Sequence, residues 1–505
     1  MKTKSLLLMP LLVALLTGCG GGGGPQQQST SNSSQSGSNS SGSGSQPTVQ
    51  TVNIRFWHTF GQTVVDALTA KIAAYKALVK QHDNVDVNIS LEYQGSYDDI
   101  AKKISDGFAA DNTPTIAVAY PDNVADYLVA ARTANRDLVV NLDEFIEDRN
   151  YGFGKEEWLG DERDETDFIE DFYAEGSKYI VDGTYSLPYM KSTEIMFYNY
   201  DMVETAMAFY NPSIDSETKI KNFMKNLSWD EFMDFCEVIR DHKAQIGNLV
   251  EIPAYYDSDS NFFITKMYQN EIPYSSINEA GSGVLDFATG QALQDTISML
   301  EDFYDYGHED LLTTKNVVGK YGSDYFTNEK CVFSIGSSGG AGYNFPDQDA
   351  FTMGVCRVPA SNDNPLFVSQ GPTLCMFNNL AVSNEVNYAT KLYAWRFLKY
   401  ITNGRVNAEL CINGSEGYVP VRYSAYETQF FADFIEEGEK YAECYKIVID
   451  INGSAGYLVS PAFKGSAELR DQVGTLVGGV LNENTQKSDI PGLLQTAIDN
   501  TRLKM

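Results

Sequence analysis

Residues 52–57 read Val-Asn-Ile-Arg-Phe-Trp, and residues 86–93 read Asp-Val-Asn-Ile-Ser-Leu-Glu-Tyr. Both stretches alternate apolar and polar residues, which is the pattern of a β-strand. Residues 62–79 and 97–110 follow them with apolar residues at helical spacing, and residues 115–120 form a short apolar run. This β-α-β-α-β order predicts an α/β fold with a mostly parallel sheet and helices on both of its faces.

Polar and aromatic residues follow each of the three predicted strands. They are Trp57 and His58, then residues 93–97, then residues 120–122. In open parallel sheets, ligands bind beyond the carboxyl ends of the strands, so we expect these residues to lie near a ligand. Their composition favours a site for a hydroxylated small molecule.

Composition excludes several classes of function. A chain of 505 residues is long enough for two or three domains. It carries 37 Lys and Arg against 68 Asp and Glu, a net charge of −31. Such a surface repels phosphate backbones, so we expect no nucleic-acid partner. Only four His are present, and we predict neither a metal site nor a cofactor.

The amino-terminal segment predicts export. Lys2 and Lys4 precede an apolar stretch at residues 6–16, which is too short to span a bilayer as a helix. The sequence Leu-Thr-Gly-Cys at residues 16–19 resembles the lipobox of bacterial lipoproteins. The resemblance implies a signal peptide at residues 1–18 and lipidation of Cys19; an ordinary signal peptide with an incidental Cys is the alternative.

Residues 20–53 contain no charged residue and consist largely of Gly, Ser, Gln, Asn and Thr. Such a segment cannot bury enough apolar surface to fold, so residues 19–50 are predicted to be the lipidated Cys and a flexible linker. The expected location is the extracellular face of the cell membrane, or the periplasm where an outer membrane exists.

Six further cysteines are spread along the body of the chain. An even number outside the cell permits disulfides, in 15 possible pairings that the sequence cannot distinguish. None has CxxC spacing and all have apolar neighbours, so buried free thiols are predicted. They are Cys236, Cys331, Cys356, Cys375, Cys411 and Cys444.

Two motifs suggest chemistry that their context does not support. Residues 336–340 match the Gly-x-Ser-x-Gly pattern of a hydrolase, with Ser338 at its centre. That mechanism needs a His later in the chain, and the last His is His308. A loop that bonds a ligand fits better, and a plain tight turn is the alternative. Residues 257–261 begin like a calcium loop, but Phe262 replaces the required Gly.

Ten short segments, taken in order, resemble the family 1 extracellular solute-binding proteins of bacterial ABC importers. The strongest match is Asp-Gly-Thr-Tyr-Ser-Leu-Pro-Tyr at residues 182–189, followed by Tyr-Asn at residues 198–199. The others begin at residues 54, 93, 229, 325, 337, 371, 395 and 417. Within the family, the opening Phe-Trp-His and the Tyr-x-Gly-x-Tyr loop are most similar to the glycerol-3-phosphate-binding branch.

The resemblance implies a set of ligand-binding residues. They are Trp57, His58, Tyr97, Asp98, Asp122, Lys191, Ser192, Tyr256, Ser337, Ser338, Gly371 and Tyr418. Two departures matter. Residues 255–260 replace the paired tryptophans of that branch, and residues 463–467 lack the Arg that holds the phosphate. Lys191 or Lys464 would have to replace it, and Lys does not reproduce a bidentate grip.

The resemblance also implies the domain organisation and the function. Two α/β lobes close on a ligand held in the cleft between them. Lobe one is predicted at residues 51–190 plus 335–372, and lobe two at residues 191–334 plus 373–505. The implied function is a monomeric receptor that delivers a sugar or a glycerol phosphate ester to the transmembrane subunits of an ABC permease. A surface glycoside hydrolase and a carbohydrate-binding adhesin are the alternatives.

Overall fold

The computed structural model describes residues 50–347, 350–360, 365–414, 417–438 and 441–505. The predicted signal peptide and Cys19 lie outside these residues, as does the predicted linker up to residue 49. The strands are β1 Thr51–His58, β2 Asp86–Tyr93, β3 Ile116–Ala119, β4 Leu187–Pro188, β5 Glu194–Asn199, β6 Ile252–Tyr256, β7 Ser275–Ile277, β8 Gly283–Leu285, β9 Leu312–Thr314, β10 Cys331–Ser337, β11 Met353–Arg357, β12 Leu366–Val368, β13 Thr373–Met376 and β14 Gly456–Leu458.

Helices fill most of the chain between the strands. They are α1 Gln62–Asp83, α2 Tyr97–Ala110, α3 Pro121–Thr133, α4 Asp143–Ile146, α5 Glu170–Ala174, α6 Tyr200–Tyr210, α7 Glu217–Lys225, α8 Trp229–Asp241, α9 Lys243–Ile246, α10 Asp259–Gln269, α11 Gly290–His308, α12 Lys315–Val318, α13 Gly322–Phe326, α14 Asn384–Thr402, α15 Gly404–Gly414, α16 Tyr423–Tyr426, α17 Gln429–Glu437, α18 Ala442–Ser454, α19 Ser466–Val480 and α20 Ile490–Arg502. Among the described residues, no helix is both long and apolar enough to cross a membrane.

The first sheet has the strand order β2-β1-β3-β13-β4. Strand β1 runs parallel to β2 from the pair Thr51–Asp86 to the pair His58–Tyr93, and it runs parallel to β3 on its other side. The predicted β-α-β-α-β unit is therefore confirmed. Alternate residues of β1, such as Ile54 and Phe56, are buried beneath the helices, as expected for a strand whose apolar residues face a core.

The second sheet has the order β11-β5-β10-β6-β9. We call the first sheet with the helices packed on it lobe one, and the second sheet with its helices lobe two. The two-lobed α/β class is as predicted. The sheets were predicted to be mostly parallel, but each has as many antiparallel strand pairings as parallel ones. The first has two parallel pairings and two antiparallel ones, and so does the second. The antiparallel strands lie where the chain leaves one sheet and returns to it, which a repeating β-α unit does not do.

Two stretches lie in the opposite sheet from the predicted one. Strand β13, predicted in lobe two, pairs with β3 and β4 in the first sheet. Strand β11, predicted in lobe one, pairs with β5 in the second. Helix α14 packs on lobe one as well, with the rings of Phe397 and Phe56 centred 6.4 Å apart. An apolar run in a sequence predicts a strand but does not identify its sheet. The remaining lobe boundaries stay a prediction.

All six cysteines of the body are buried, as predicted from their apolar neighbours, and Cys236, Cys331, Cys356, Cys375 and Cys444 are free thiols. Burial raises the pKa of each of the thiols of Cys236, Cys331 and Cys411 well above its ordinary value. Thiols that stay protonated at neutral pH are poor nucleophiles and poor metal ligands, so these cysteines pack as small apolar side chains.

Candidate functional site

In the part of the chain that the structure describes, three crossing segments join the lobes, at residues 189–193, 368–373 and 417–421. The first pairs with both of the others, because Lys191 bridges to Val419 and Ser192 bridges to Gln370, each in antiparallel fashion. The backbone hydrogen bonds of these bridges are 2.7–3.2 Å long. A cavity of about 560 Å³ lies against the crossing segments and is lined from both lobes.

Three tyrosines form the aromatic part of this cavity. Tyr97 is the first residue of α2, and Tyr120 is the residue before α3. Their ring centroids are 4.5 Å apart with the planes tilted by 50°. Tyr418 comes from the third crossing segment and packs over Gly339, where a Cβ atom would lie 3.0 Å from its ring. The absence of a side chain at residue 339 therefore leaves room for this ring.

The capping residues of α2 place Tyr97 at the cavity. Ser96 accepts a hydrogen bond from the amide of Asp99, whose carboxylate in turn accepts one from the amide of Ser96 at 2.9 Å. This capping box fixes the residue at which the helix begins. Burial raises the pKa of Tyr97 well above its ordinary value, and the nearby phenols of Tyr120 and Tyr418 add to the effect. The phenols are therefore neutral hydrogen-bonding groups at any physiological pH.

The second crossing segment supplies two polar groups that have no partner among the described residues. Ser369 and Gln370 both line the cavity. Within the described part of the chain, the buried Ser369 Oγ and Gln370 Oε1 form no hydrogen bond. A buried polar atom without a partner costs about 1–3 kcal/mol, so a solute hydroxyl placed beside these atoms would recover that free energy.

Lys191 lies at the cavity, but its charge is already neutralised. The ammonium is 1% exposed and lies 2.6 Å from Glu175 Oε2. It also donates to the carbonyl oxygen of Gly371 at 3.2 Å. These contacts fix Lys191 between two crossing segments. Lys191 therefore belongs to a structural ion pair with Glu175. It is not a free cation that could replace a phosphate-binding Arg.

Acidic side chains face the cavity from both lobes. Asp98 and Asp122 extend from lobe one, and Asp471 extends from α19 in lobe two. Burial raises the pKa of Asp471, and the negative charges of Asp98, Glu468 and Asp122 add to the effect. The charge near these residues is therefore mainly negative, which suits hydroxyl donors better than a phosphate group.

Arg470 is the cation that partly offsets these acids. Its guanidinium donates to Asn261 Oδ1, and the amide of Asn261 donates to Glu194 Oε1 at 3.0 Å. Burial raises the pKa of Glu194 to about 7, although hydrogen bonds from Tyr256 and Asn261 lower it. The chain of contacts from Glu194 fixes the orientation of the Asn261 amide and, through it, holds Arg470 at the cavity.

A family comparison adds to this geometry. Residues 72–437 match the family described as bacterial extracellular solute-binding protein. The chain belongs to this family. No curated protein matches the chain of this solute-binding protein.

Solved structures with the same fold include several binding proteins. One is the cyclic α-maltosyl-1,6-maltose binding protein of Arthrobacter globiformis, with a TM-score of 0.64, 18% identity, and coverage of 89% of this chain and 98% of that one. Another is UgpB of Mycobacterium tuberculosis in complex with glycerophosphocholine, with a TM-score of 0.60, 15% identity, and coverage of 90% and 99%. The sugar-binding protein MalE of Xanthomonas citri has a TM-score of 0.62 at 14% identity and coverage of 89% and 98%. These likenesses confirm the two-lobed fold of the solute-binding protein.

Eight of the twelve predicted site residues line the interlobe cavity. They are Tyr97, Asp98, Asp122, Lys191, Ser192, Ser337, Gly371 and Tyr418. Tyr97, Asp98 and Asp122 reach the cavity because the helices that follow β2 and β3 begin at the cleft. The binding roles of the eight residues remain a proposal.

The other four predicted residues lie away from the cavity. The indole of Trp57 donates to Glu92 Oε2 at 2.8 Å. His58 is buried against Phe60, whose amide donates to His58 Nδ1 at 3.2 Å. Both side chains come from the end of β1, but neighbouring side chains cover them.

Tyr256 and Ser338 lie behind the cavity wall rather than in it. The phenol of Tyr256 donates to the buried Glu194. Ser338 exchanges hydrogen bonds with Thr193, since its amide donates to the Thr193 carbonyl at 2.7 Å and its hydroxyl accepts from the Thr193 amide at 3.3 Å. Both residues therefore support the cavity from outside and do not line it.

Sequence reasoning missed the contribution of α19. Ala467, Arg470 and Asp471 line the cavity at spacings of three and four residues, which places them on one face of the helix. The sequence comparison placed the phosphate-binding Arg at residues 463–467, which end within the first turn of that helix. The available signal was the Arg-Asp pair at residues 470–471, a few residues further along the same helix.

A second cavity of about 570 Å³ lies within lobe one, with Lys71 of α1, Trp158 and Arg405 of α15 among its lining residues. It is similar in volume to the interlobe cavity. A ligand there would contact only one lobe, so it could not shift an equilibrium between open and closed lobes. The interlobe cavity is therefore the candidate site of this solute-binding protein.

Proposed function

We propose that this chain is the lipid-anchored receptor of an ABC importer, that it captures a neutral carbohydrate in the interlobe cavity, and that it delivers this solute to a membrane permease. The observation that carries the proposal is the lining of the cavity, in which tyrosine rings accompany carboxylates and two buried polar atoms that no described residue bonds. Ring faces pack on the C–H faces of sugars, while carboxylates accept their hydroxyl protons.

The charge of the cavity favours a neutral sugar over glycerol 3-phosphate. Lys191 is neutralised by Glu175, which leaves Arg470 to balance Asp98, Asp122 and Asp471. A phosphate ester would add negative charge beside these carboxylates. The net charge of −31 acts in the same direction over longer distances. The anchor is supported by the lipobox-like sequence that ends at Cys19.

A thermal-shift screen tests the solute class. A Cys19→Ala chain, which cannot be lipidated, is heated with maltose, maltotriose, glycerol 3-phosphate or glycerophosphocholine. We expect a neutral saccharide to raise the melting temperature, because a ligand at 100 times its Kd adds about 2.7 kcal/mol of stability. A rise with the phosphate esters alone would contradict the proposed solute, and the release of smaller sugars would favour a glycoside hydrolase.

A matched pair of tyrosine variants locates the effect. Tyr97 lines the cavity, whereas Tyr93 is 66% exposed at the end of β2. Tyr97→Ala should abolish the rise in melting temperature that the saccharide causes, and Tyr93→Ala should retain it. Equal rises in the two variants would place the binding site elsewhere.

A further inference from the structure

A segment with neither helix nor strand connects β14 to α19 at residues 459–465. Together with β14 and the first residue of α19 it forms a stretch, residues 456–466, that we call the strap. Ala462 and Phe463 near its centre are 2% and 1% exposed. Loops usually run over a protein surface, because water there satisfies their backbone groups. A buried segment must bond to the elements around it instead.

Two backbone amides of the strap donate hydrogen bonds to lobe one. The Tyr457 amide donates to Asp171 Oδ2 at 2.7 Å, and Asp171 belongs to α5, which packs beside β4 of the first sheet. The Ala462 amide donates to the carbonyl oxygen of Lys178 at 2.9 Å, between α5 and β4. These bonds follow the path of the backbone, so they need no particular side chain in the strap.

A third bond to lobe one uses a side chain. The Ser466 hydroxyl lies 2.6 Å from Asp122 Oδ1 and 2.8 Å from the Phe463 carbonyl oxygen. It has one proton to donate, and the carboxylate is the stronger acceptor because it is both closer and charged. Ser466 is the first residue of α19, and Asp122 lies in the first turn of α3. The bond therefore joins the amino ends of two helices from different lobes, where the positive ends of both helix dipoles stabilise the carboxylate.

Between its bonds to lobe one, the strap contacts lobe two. The Ser460 hydroxyl lies 3.2 Å from the phenol oxygen of Tyr268 on α10. The ring of Phe463 packs against Gly283 of β8, in the hairpin between α10 and α11, where a Cβ atom would lie 2.1 Å from the ring. Contacts to lobe one and to lobe two therefore alternate along the strap.

We propose that the strap couples occupation of the cavity to closure of the lobes, because it moves with lobe two and its bonds to lobe one form on closing and break on opening. The proposal rests on the proposed function, in which a solute enters between the lobes. Leu458 and Ser460 of the strap are among the residues that line the cavity. A solute seated on these residues holds the strap in the position from which it bonds lobe one.

The continuity of the chain decides which contacts break. The strap follows α18, which packs on β11 of the second sheet, and it leads into α19, which packs beside α10 of lobe two. Both of its ends are therefore fixed to lobe two, so a rotation of one lobe against the other carries the strap away from lobe one. The bonds of Ala462 to Lys178 and of Ser466 to Asp122 must then break, whereas the contacts within lobe two remain.

The strap begins close to the hinge. The rings of Tyr457 and Phe172 are centred 4.5 Å apart, and the ring of Phe172 lies 5.8 Å from the ammonium of Lys191 in the first crossing segment. A contact beside a crossing segment moves little when the lobes rotate. The bond between Ser466 and Asp122, which joins helices of different lobes, is therefore the one whose loss should shift the equilibrium between open and closed molecules.

Nitroxide labels on the two lobes test the proposal without any solute. Asp106→Cys on α2 and Glu217→Cys on α7 provide labelling sites in the Cys19→Ala chain, since the original side chains are 69% and 66% exposed. The six cysteines of the body are buried and stay unlabelled. Double electron–electron resonance then gives the distribution of distances between the lobes. We expect Ser466→Ala to lower the ratio of closed to open molecules about tenfold, because it removes a hydrogen bond to a charged group.

Two comparisons isolate the bond. Ser454→Ala is the matched control, because the Ser454 hydroxyl bonds to the Asp450 carbonyl within α18 at 2.6 Å, and this variant should keep the original distribution. In a chain that already carries Asp122→Ala, Ser466→Ala should cause no further change, since the partner of its hydroxyl is gone. The proposal is overturned if Ser466→Ala keeps the original distribution, or shifts it equally with and without Asp122. Such a failure would leave the solute screen unaffected, because no solute is present.

Discussion

Replacement of Glu156 by Ala should lower the free energy of unfolding by about 3–5 kcal/mol, because it takes from two buried cations one of the carboxylates that neutralise each of them. Glu156 Oε2 lies 2.9 Å from the ammonium of Lys399, which is fully buried. Glu156 Oε1 lies 2.8 Å from the guanidinium of Arg396, whose side chain is 3% exposed. Asp161, at 2.9 Å from Lys399, would then be the remaining carboxylate on that ammonium.

Urea unfolding of the Cys19→Ala chain followed by circular dichroism measures this loss. The matched control is Glu217→Ala, which breaks an ion pair of 2.6 Å between side chains that are 58% and 66% exposed. Exposed pairs contribute about 0–1 kcal/mol, so the control should unfold at nearly the original urea concentration. Similar midpoints for both variants would show that the buried cluster does not stabilise lobe one as described.

Gly371→Ala should cost about 2–4 kcal/mol of stability and weaken solute binding, because it forces two crossing segments apart. Gly371 has a φ of +93°, in the region that favours glycine. A Cβ atom there would lie 2.4 Å from the Met190 carbonyl oxygen and 2.9 Å from the Lys191 Cα atom. Both neighbours are backbone atoms, so no side-chain rotation relieves the overlap.

Gly290→Ala provides the control for backbone strain alone. Gly290 also has a positive φ, of +64°, but a Cβ atom there would have no heavy atom within 4 Å. Urea midpoints and solute-induced melting shifts, measured on both variants, separate the two effects. We expect Gly290→Ala to lose about 1 kcal/mol of stability and to retain the solute response. Loss of that response in both variants, or in neither, would contradict the role given to the crossing segments.

Local sequence patterns predicted the parts of the fold that local interactions determine. The alternation in β1 and β2 and the helical spacing of α1 and α2 need only neighbouring residues to be recognised, and the structure confirms them. Local patterns also indicated Tyr97 and Tyr120, which line the cavity, because both residues lie just beyond strands of one sheet.

The remaining parts depend on contacts between distant residues. Strand β13 reads as an ordinary apolar run, yet it joins β3, which lies more than 250 residues earlier in the chain. Arg470 reaches the cavity because α19 packs beside α10, where Asn261 receives its guanidinium. The sequence alone could not exclude Trp57 and His58 from the predicted binding site. Glu92 covers Trp57 only because β1 pairs with β2, and Phe60 covers His58 only because the chain turns after β1.

Hydrogen–deuterium exchange tests most directly whether the interlobe cavity is the solute site. The saccharide that raises the melting temperature most is added to the Cys19→Ala chain, and exchange is compared with the solute-free protein. We predict slower exchange in peptides that cover residues 97–101, 368–373 and 466–472, which line the cavity from both lobes and from a crossing segment. Slower exchange confined to peptides around Trp158 and Arg405, which line the second cavity in lobe one, would contradict the account.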